Sequence, residues 1–236
     1  MKSYIMYLLI IFISTITNAQ HTDLKEYGLK GHVKSITTVN YESGICTNNQ
    51  WIPYDEAKPN TITTLYFNKS GIIDSSITEF GAFKTDTSSF RTKTIYVIEQ
   101  NKKVSAKYYD HSGKFTETIK IKWLNNKTYS TYFYDLNGKL TFESTSWLND
   151  EYRDNKGEYK SYDNDTLNIY EKYDDVFDSD KQLIKANFVD QIGKKEYTIL
   201  YKHQAFDEFK NPTYTALVNI TTGTLKRISI WRIEYY

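Results

Sequence analysis

No disulfide can form within this chain, because Cys46 is its only cysteine, so stability has to come from packing. That scarcity is ordinary for a bacterial periplasmic or secreted protein and unusual for an exported eukaryotic one. There are three prolines and ten glycines, and no stretch rich in Pro, Gly or Ser divides the sequence, so one domain is expected. An excess of either charge is missing as well. The 30 Lys and Arg residues are mixed with 29 Asp and Glu along the whole length, which leaves no concentrated basic surface and argues against nucleic acid as a partner. Gly-x-Ser-x-Gly elbows, glycine-rich phosphate loops and Cys-x-x-Cys pairs are absent, so the commonest motif-bearing enzyme classes find no support.

The longest apolar stretch lies at the start. Lys2 precedes a mainly apolar run over residues 4–16, and Thr17-Asn18-Ala19 offers small residues before Gln20. This is the organisation of a secretory signal cleaved after Ala19, since the run falls short of the ~20 residues a spanning helix needs. Cys46 lies too far downstream to carry a lipid, so the expected product is exported, periplasmic or extracellular, and not a lipoprotein. Residues 20–236 then form a single β-repeat domain with no transmembrane segment, and 236 − 19 = 217 residues suffice for a sizeable core.

What the sequence has in abundance is aromatic residues, with 22 Tyr, 12 Phe and 4 Trp. Disordered chains are poor in these, and tyrosine favours strands. A repeat runs through them. Tyr109-Asp110-His111-Ser112-Gly113-Lys114-Phe115 aligns with Tyr134-Asp135-Leu136-Asn137-Gly138-Lys139-Leu140, and a third copy begins at Phe67 with Asn68 and Gly71 in the same places. Weaker copies start at Phe177-Asp178 and Phe206-Asp207, where Lys181 and Lys210 replace the glycine. Asp or Asn opening and Gly closing such a tetrad is the chemistry of a β-turn: the side chain accepts a backbone N–H and glycine takes the left-handed conformation. A lysine in that conformation costs about 1–2 kcal/mol, so another geometry is expected at Lys181 and Lys210.

Between turns the chain alternates. Over residues 114–123 the apolar Phe115, Ile119, Ile121 and Trp123 occupy odd positions and lysines and threonines the even ones, a strand with one wet face. Val33, Val39 and Tyr41, and later Tyr197, Ile199 and Tyr201, are each assigned to one face. Residues 95–98 and 226–236 are apolar on both faces, as where a sheet is covered on two sides. Residues 43–60 and 149–165 read as long loops, Asn155-Lys156-Gly157 as turn residues, and residues 23–29 as one short helical turn. The expected fold is all-β, an antiparallel meander of repeated hairpins in an extended or partly wrapped single sheet.

Tyr132-Phe133-Tyr134-Asp135-Leu136-Asn137-Gly138-Lys139-Leu140 resembles the YD repeat of RHS-type bacterial surface and toxin-delivery proteins, and is similar to the hairpin repeats of MORN-like antitoxin proteins. The resemblance spans residues 61–212 in five degenerate copies. It implies a continuous antiparallel sheet and assigns no catalytic role to the repeat residues.

Candidate chemistry is sparse. His21, His32, His111 and His203 are scattered singly and read as surface histidines, His111 in a turn. Cys46 reads as a bystander thiol. The acidic region 163–180 carries Asp163, Asp165, Asp178 and Asp180 two residues apart in pairs, oxygen ligands of the kind calcium favours, but without the glycine and distal glutamate of a calcium loop; it reads as a solvated loop. No catalytic, cofactor-binding or metal residue is therefore assigned, no cofactor is expected, and Asn68, Gly71, Asp110, Gly113, Asp135, Gly138, Asp178 and Asp207 are read as structural. The expected function is noncatalytic binding of a protein or envelope glycan through a broad β surface. Two alternatives are a periplasmic immunity protein that neutralises a toxin and a glycan hydrolase whose carboxylates converge only in the fold.

Overall fold

The computed structural model describes residues 21–54, 57–81 and 90–236; the proposed signal, residues 1–19, lies outside them. One short helix, α1 (Asp23–Glu26), is followed by β1 (Val33–Tyr41), β2 (Gly44–Thr47), β3 (Gln50–Pro53), β4 (Thr61–Phe67), β5 (Ile73–Phe80), β6 (Phe90–Glu99), β7 (Lys102–Tyr109), β8 (Phe115–Asn125), β9 (Thr128–Tyr134), β10 (Leu140–Leu148), β11 (Asp154–Asp163), β12 (Thr166–Phe177), β13 (Leu183–Asp190), β14 (Lys195–Phe206), β15 (Pro212–Asn219) and β16 (Thr224–Tyr235). The antiparallel hairpin meander is as expected, but the sheet is neither extended nor partly wrapped. Among the described residues it closes into a barrel of fourteen strands, in which β1 pairs with β4 on one side and with β16 on the other. The seam runs through Ile36↔Ile233 and Val39↔Ile230. Closure leaves no edge strand open to other chains, and it depends on strand tilt and stagger, which local turn motifs do not encode.

The repeat tetrads are all hairpin turns. Asp110 Oδ1 accepts the backbone N–H groups of Ser112 (2.9 Å) and Lys114 (3.0 Å), and Asp135 repeats the pattern on Asn137 and Lys139. Asn68, Asp178 and Asp207 each accept from the residue four positions on. Gly71, Gly113 and Gly138 take the left-handed conformation, with φ from 76° to 79°. Lys181 and Lys210 do so too, at φ 65° and 64°, which corrects the expectation of a different geometry: five residues of a type I turn closed by a left-handed residue need that φ whatever the side chain. A sixth copy is hidden in Asn149-Asp150-Glu151-Tyr152-Arg153, where Asn149 accepts from Glu151 and Arg153 and Tyr152 stands at φ 62°.

Strand parity separates the walls. Ile119, Ile121 and Trp123 of β8 face inward in register with Phe133, Thr131 and Tyr129 of β9, as the alternation predicted, while Lys120 and Lys122 face outward. Phe115, expected on the inner face too, is turned outward by a bulge that sets it opposite Tyr109. Tyr197, Ile199 and Tyr201 also share the inner face. Val33, Val39 and Tyr41 do not share a face, because an irregularity between Val33 and Ser35 shifts the parity of β1: Val33 points in, Val39 and Tyr41 out. Outward positions carry Glu143, Glu158, Lys160 and Lys172, linked as Lys160–Glu143 (2.9 Å) and Lys172–Glu158 (3.9 Å).

The two regions read as long loops contain strands. Residues 149–165 hold β11, and Asn155, Lys156 and Gly157 lie within it rather than in a turn; its inward positions include Asp154, Gly157, Tyr159 and Ser161, so no aliphatic alternation announces it. Residues 43–60 hold the β2–β3 hairpin, which lies against the outer wall. The Gln204 side-chain amide is bonded to both the N–H (2.6 Å) and the carbonyl (3.0 Å) of Trp51. Gly44 comes so close to Ile228 that a β-carbon would collide with it, and outward-facing Ile228 is fully buried. This explains the two apolar faces of β16.

At one end α1 enters the barrel. Thr22 caps it by accepting from Lys25 N–H (3.2 Å), and Leu24 and Leu29 pack with Val33, Ile36, Phe67 and Ile73.

Candidate functional site

The inner wall is aromatic. Phe133 meets Phe142 edge-on at 5.3 Å, Phe142 stacks on Tyr159 at 6.0 Å, and Phe188 stacks on Tyr197 at 4.9 Å. Ring sizes alternate with Ala106, Gly157 and Ala186, which leave the rings room; Tyr173 lies directly over Gly157. Two cavities result. One of about 860 Å³ lies towards the rim away from α1, beside Tyr159, Phe188, Tyr197, Ile199 and Asn219. The other, of about 300 Å³, lies next to α1 and is lined by Glu26, Tyr27, Asp154, Asp175, Tyr201, Arg227 and Trp231 among others.

α1 is held by charge. Asp23 is fully buried, accepts the Ile73 N–H at 2.6 Å and forms an ion pair with Lys103 at 2.7 Å. Burial alone would depress the Lys103 ammonium, but Asp23 and Glu26 outweigh it and raise its pKa. Glu26 accepts from Tyr129 (2.5 Å) and is bonded to His21 (2.9 Å); against the effect of burial, these bonds and Lys103 hold it below its ordinary value. Tyr27, the last residue of the turn, is shifted upward by burial.

In the smaller cavity the balance goes the other way. Burial pushes the Asp154 carboxyl up to about 7, with repulsion from Glu26 adding to the shift and the hydrogen bond from Tyr173 (2.7 Å) opposing it. Asp175 also rises to about 7, from burial and then from repulsion by Asp154, with Arg153 opposing. Burial followed by the charge of Asp175 takes Tyr201 to about 12. His203, bonded to Thr215 and to the Leu183 carbonyl (both 2.8 Å), is lowered by burial. Three buried polar atoms of the lining, Asp154 Oδ1, Trp231 Nε1 and Arg153 Nε, have no hydrogen-bond partner among the described residues.

The residues singled out in the sequence are not gathered here. Asn68, Asp178 and Asp207 stand in turns at the α1 end, and Asp110 and Asp135 in turns at the opposite rim. Asp163 and Asp165 flank the β11–β12 turn, where Asp165 meets Lys139 (3.2 Å), so they do not meet Asp178. Of the acidic region, the carboxylate that enters the smaller cavity inside the barrel is Asp175, which the pairwise spacing passed over, while Asp180 lines a shallow outer pocket beside Lys25 and Arg153. Asp154 gave no signal beyond its charge. His21 is buried, contrary to a surface reading, with its ring edge-on to Trp123 at 4.8 Å. His21, Asp23 and Glu26 place ligand atoms within 4.8 Å of one another, but the Lys103 ammonium already occupies Asp23, and a neighbouring fixed cation opposes a metal ion.

The fold and site together define an antiparallel barrel with an aromatic interior closed at one end by its own N-terminal segment. No family model matches the chain, and no curated protein matches it. Among solved structures, a porin-like protein from Bacteroides uniformis is similar at 12% identity and TM-score 0.47, over 86% of this chain and 98% of that one. A porin-like protein from Bacteroides vulgatus is similar at 14% identity and TM-score 0.30, over 88% of this chain and 99% of that one.

Proposed function

We propose that this is a noncatalytic, exported binding protein that takes an envelope glycan into the lumen of its barrel. The observation that carries the reading is the run of stacked rings beside the larger cavity, while outward mid-strand positions mix lysines and glutamates with aliphatic side chains such as Ile95 and Val97. Stacked, partly exposed rings such as Tyr159, Phe188 and Tyr197 are platforms for the apolar faces of sugars. In a lipid-facing barrel the outer band is apolar, and each basic residue at the midplane costs about 2–4 kcal/mol; outward Lys120, Lys122 and Lys172 therefore favour a barrel standing in water. In this reading the YD-like hairpins are wall-building units, and binding lies inside the barrel rather than on an open sheet.

The test is a titration of intrinsic tryptophan fluorescence with soluble envelope glycan fragments, since Trp123 and Trp231 face inward. Saturable change that is lost in Tyr197→Ala and retained in the outer-wall variant Lys122→Ala is expected; no change with any saccharide would overturn the reading.

One observation favours a second reading. Asp154 and Asp175 share a cavity, as the two carboxylates of a glycan hydrolase would. Burial raises both carboxyls, but the stacked rings of Tyr159, Phe188 and Tyr197 lie beside the other cavity and away from this pair, which is why binding is preferred. Release of reducing ends, abolished in Asp154→Asn, would favour the hydrolase.

A further inference from the structure

We infer that the smaller cavity beside α1 is a subsite for a single organic ammonium group, held by Asp154 and Asp175 and walled by aromatic rings. The inference rests on the lumen being the binding site and adds the charge of what is bound there.

The first ground is a charge count over every element that faces the cavity. α1 contributes Asp23 and Glu26, and β11 and β12 contribute Asp154 and Asp175. Lys103 serves both Asp23 and Glu26, and His21 is bonded to Glu26 at 2.9 Å, so the carboxylates left to the cavity itself are Asp154 and Asp175, beside Arg153 and Arg227 of its lining. Among the described residues neither arginine makes a direct ion pair with Asp154 or Asp175. Arg153 attracts Asp175 but is shared with Glu151 and Asp178 at the rim, its guanidinium lies over Phe177 at 4.6 Å, and it donates to the Lys181 carbonyl. His203 adds no charge near neutrality, since burial lowers it.

The second ground is the shape and chemistry of the space. At about 300 Å³ the cavity holds a small ligand or the end of a larger one. Tyr27, Phe177, Tyr201 and Trp231 supply rings, whose faces attract cations. Asp154 turns one oxygen to Tyr173 and keeps the other, buried, without a partner. A hard metal ion asks for six or more oxygen ligands, more than this largely aromatic lining offers. With the cavity empty, burial favours the protonated form of both carboxyls, which rise to about 7. A bound ammonium takes that proton's place.

The test uses choline and its uncharged isostere 3,3-dimethylbutan-1-ol, titrated calorimetrically into the mature chain in two buffers of different ionisation enthalpy. Choline is expected to bind at least about tenfold more tightly than the isostere near pH 8, and near pH 7 to release about one proton per ligand. Asp175→Asn should bring the two ligands to within about threefold of each other, and if Asp154→Asn fails to fold, this variant still decides the matter. Equal binding of choline and isostere, no binding of either, or displacement of choline by millimolar sodium or calcium would each overturn the inference. Saccharide binding without choline binding would sink the inference and leave the proposed function standing; choline binding without saccharide binding would do the reverse.

Discussion

The two ends of the barrel carry the same turn and use it differently. At the rim away from α1, Gly113 and Gly138 have nothing near the position of a β-carbon, and the turns of Asp110 and Asp135 are held mainly by their own local hydrogen bonds. At the α1 end the turns also bind the rest of the molecule. The Gly71 carbonyl accepts Leu24 N–H (3.1 Å), Asn211 joins the N–H and carbonyl of Lys30 (2.7 and 2.9 Å), and Asp207 accepts from Tyr235. It is at this end that Tyr152, Lys181 and Lys210 occupy the left-handed position. Tyr152 lies under Lys25, Lys181 pairs with Glu151, and the Lys210 carbonyl accepts from Gln182. Backbone strain persists where surrounding contacts over-determine it, so the anchored repeat tetrads at 152, 181 and 210 do without glycine where those at 113 and 138 keep it. Other turns of the free rim nevertheless hold Asn164, Asp165 and Lys194 at positive φ.

The largest expected effect is at the anchored end. Asp23→Ala leaves Lys103 buried without its ion-pair partner and the Ile73 N–H unbonded, and should cost about 3–5 kcal/mol in chemical denaturation. Next comes the response to pH. Asp154 and Asp175 titrate near 7 in the folded barrel and near ~3.9 unfolded, so the folded state holds the extra protons between those values and stability declines as pH rises from about 4 to about 7. Glu26 acts below that window: its lowered value gives stability that is lost as pH falls beneath about 4.3. Thermal melts across this range should show the decline, and Asp154→Asn should flatten it; an unchanged slope would mean that the cavity is wetter than described.

A smaller effect separates the two kinds of turn. Gly138→Ala at the free rim should cost about 1–2 kcal/mol. Lys210→Gly at the anchored end should change stability by less than about 0.5 kcal/mol, because relief of strain is offset by the larger entropy of an unfolded glycine. Equal losses in the two variants would erase the distinction drawn here.

Much of the wall was legible in the sequence, because its information is local. The Asp-to-Gly spacing in residues 110–113 and 135–138 specifies a turn, and the period of two in β8 specifies which side chains point inward. Lys181 and Lys210 misled because an anchored turn does not need glycine, and Tyr152 hid a sixth copy for the same reason. The β2–β3 hairpin was missed because Cys46 and Trp51 lie in a polar stretch whose packing partner, the outer wall around Ile228 and Gln204, is about 150 or more residues away. Closure and the cavity were not legible at all. Both follow from β1 meeting β16, and that contact alone brings Trp231 and Arg227 round to face Glu26, Asp154 and Asp175.

That seam is the place to test the whole account, by measuring amide hydrogen exchange along residues 36–40 of β1 and 229–233 of β16. In a closed barrel successive amides of β1 bond alternately to β4 and to β16, so every one of them should be protected to the level of the middle strands. Fast exchange at every second residue of both strands would show two free edges and no lumen, and would contradict the account.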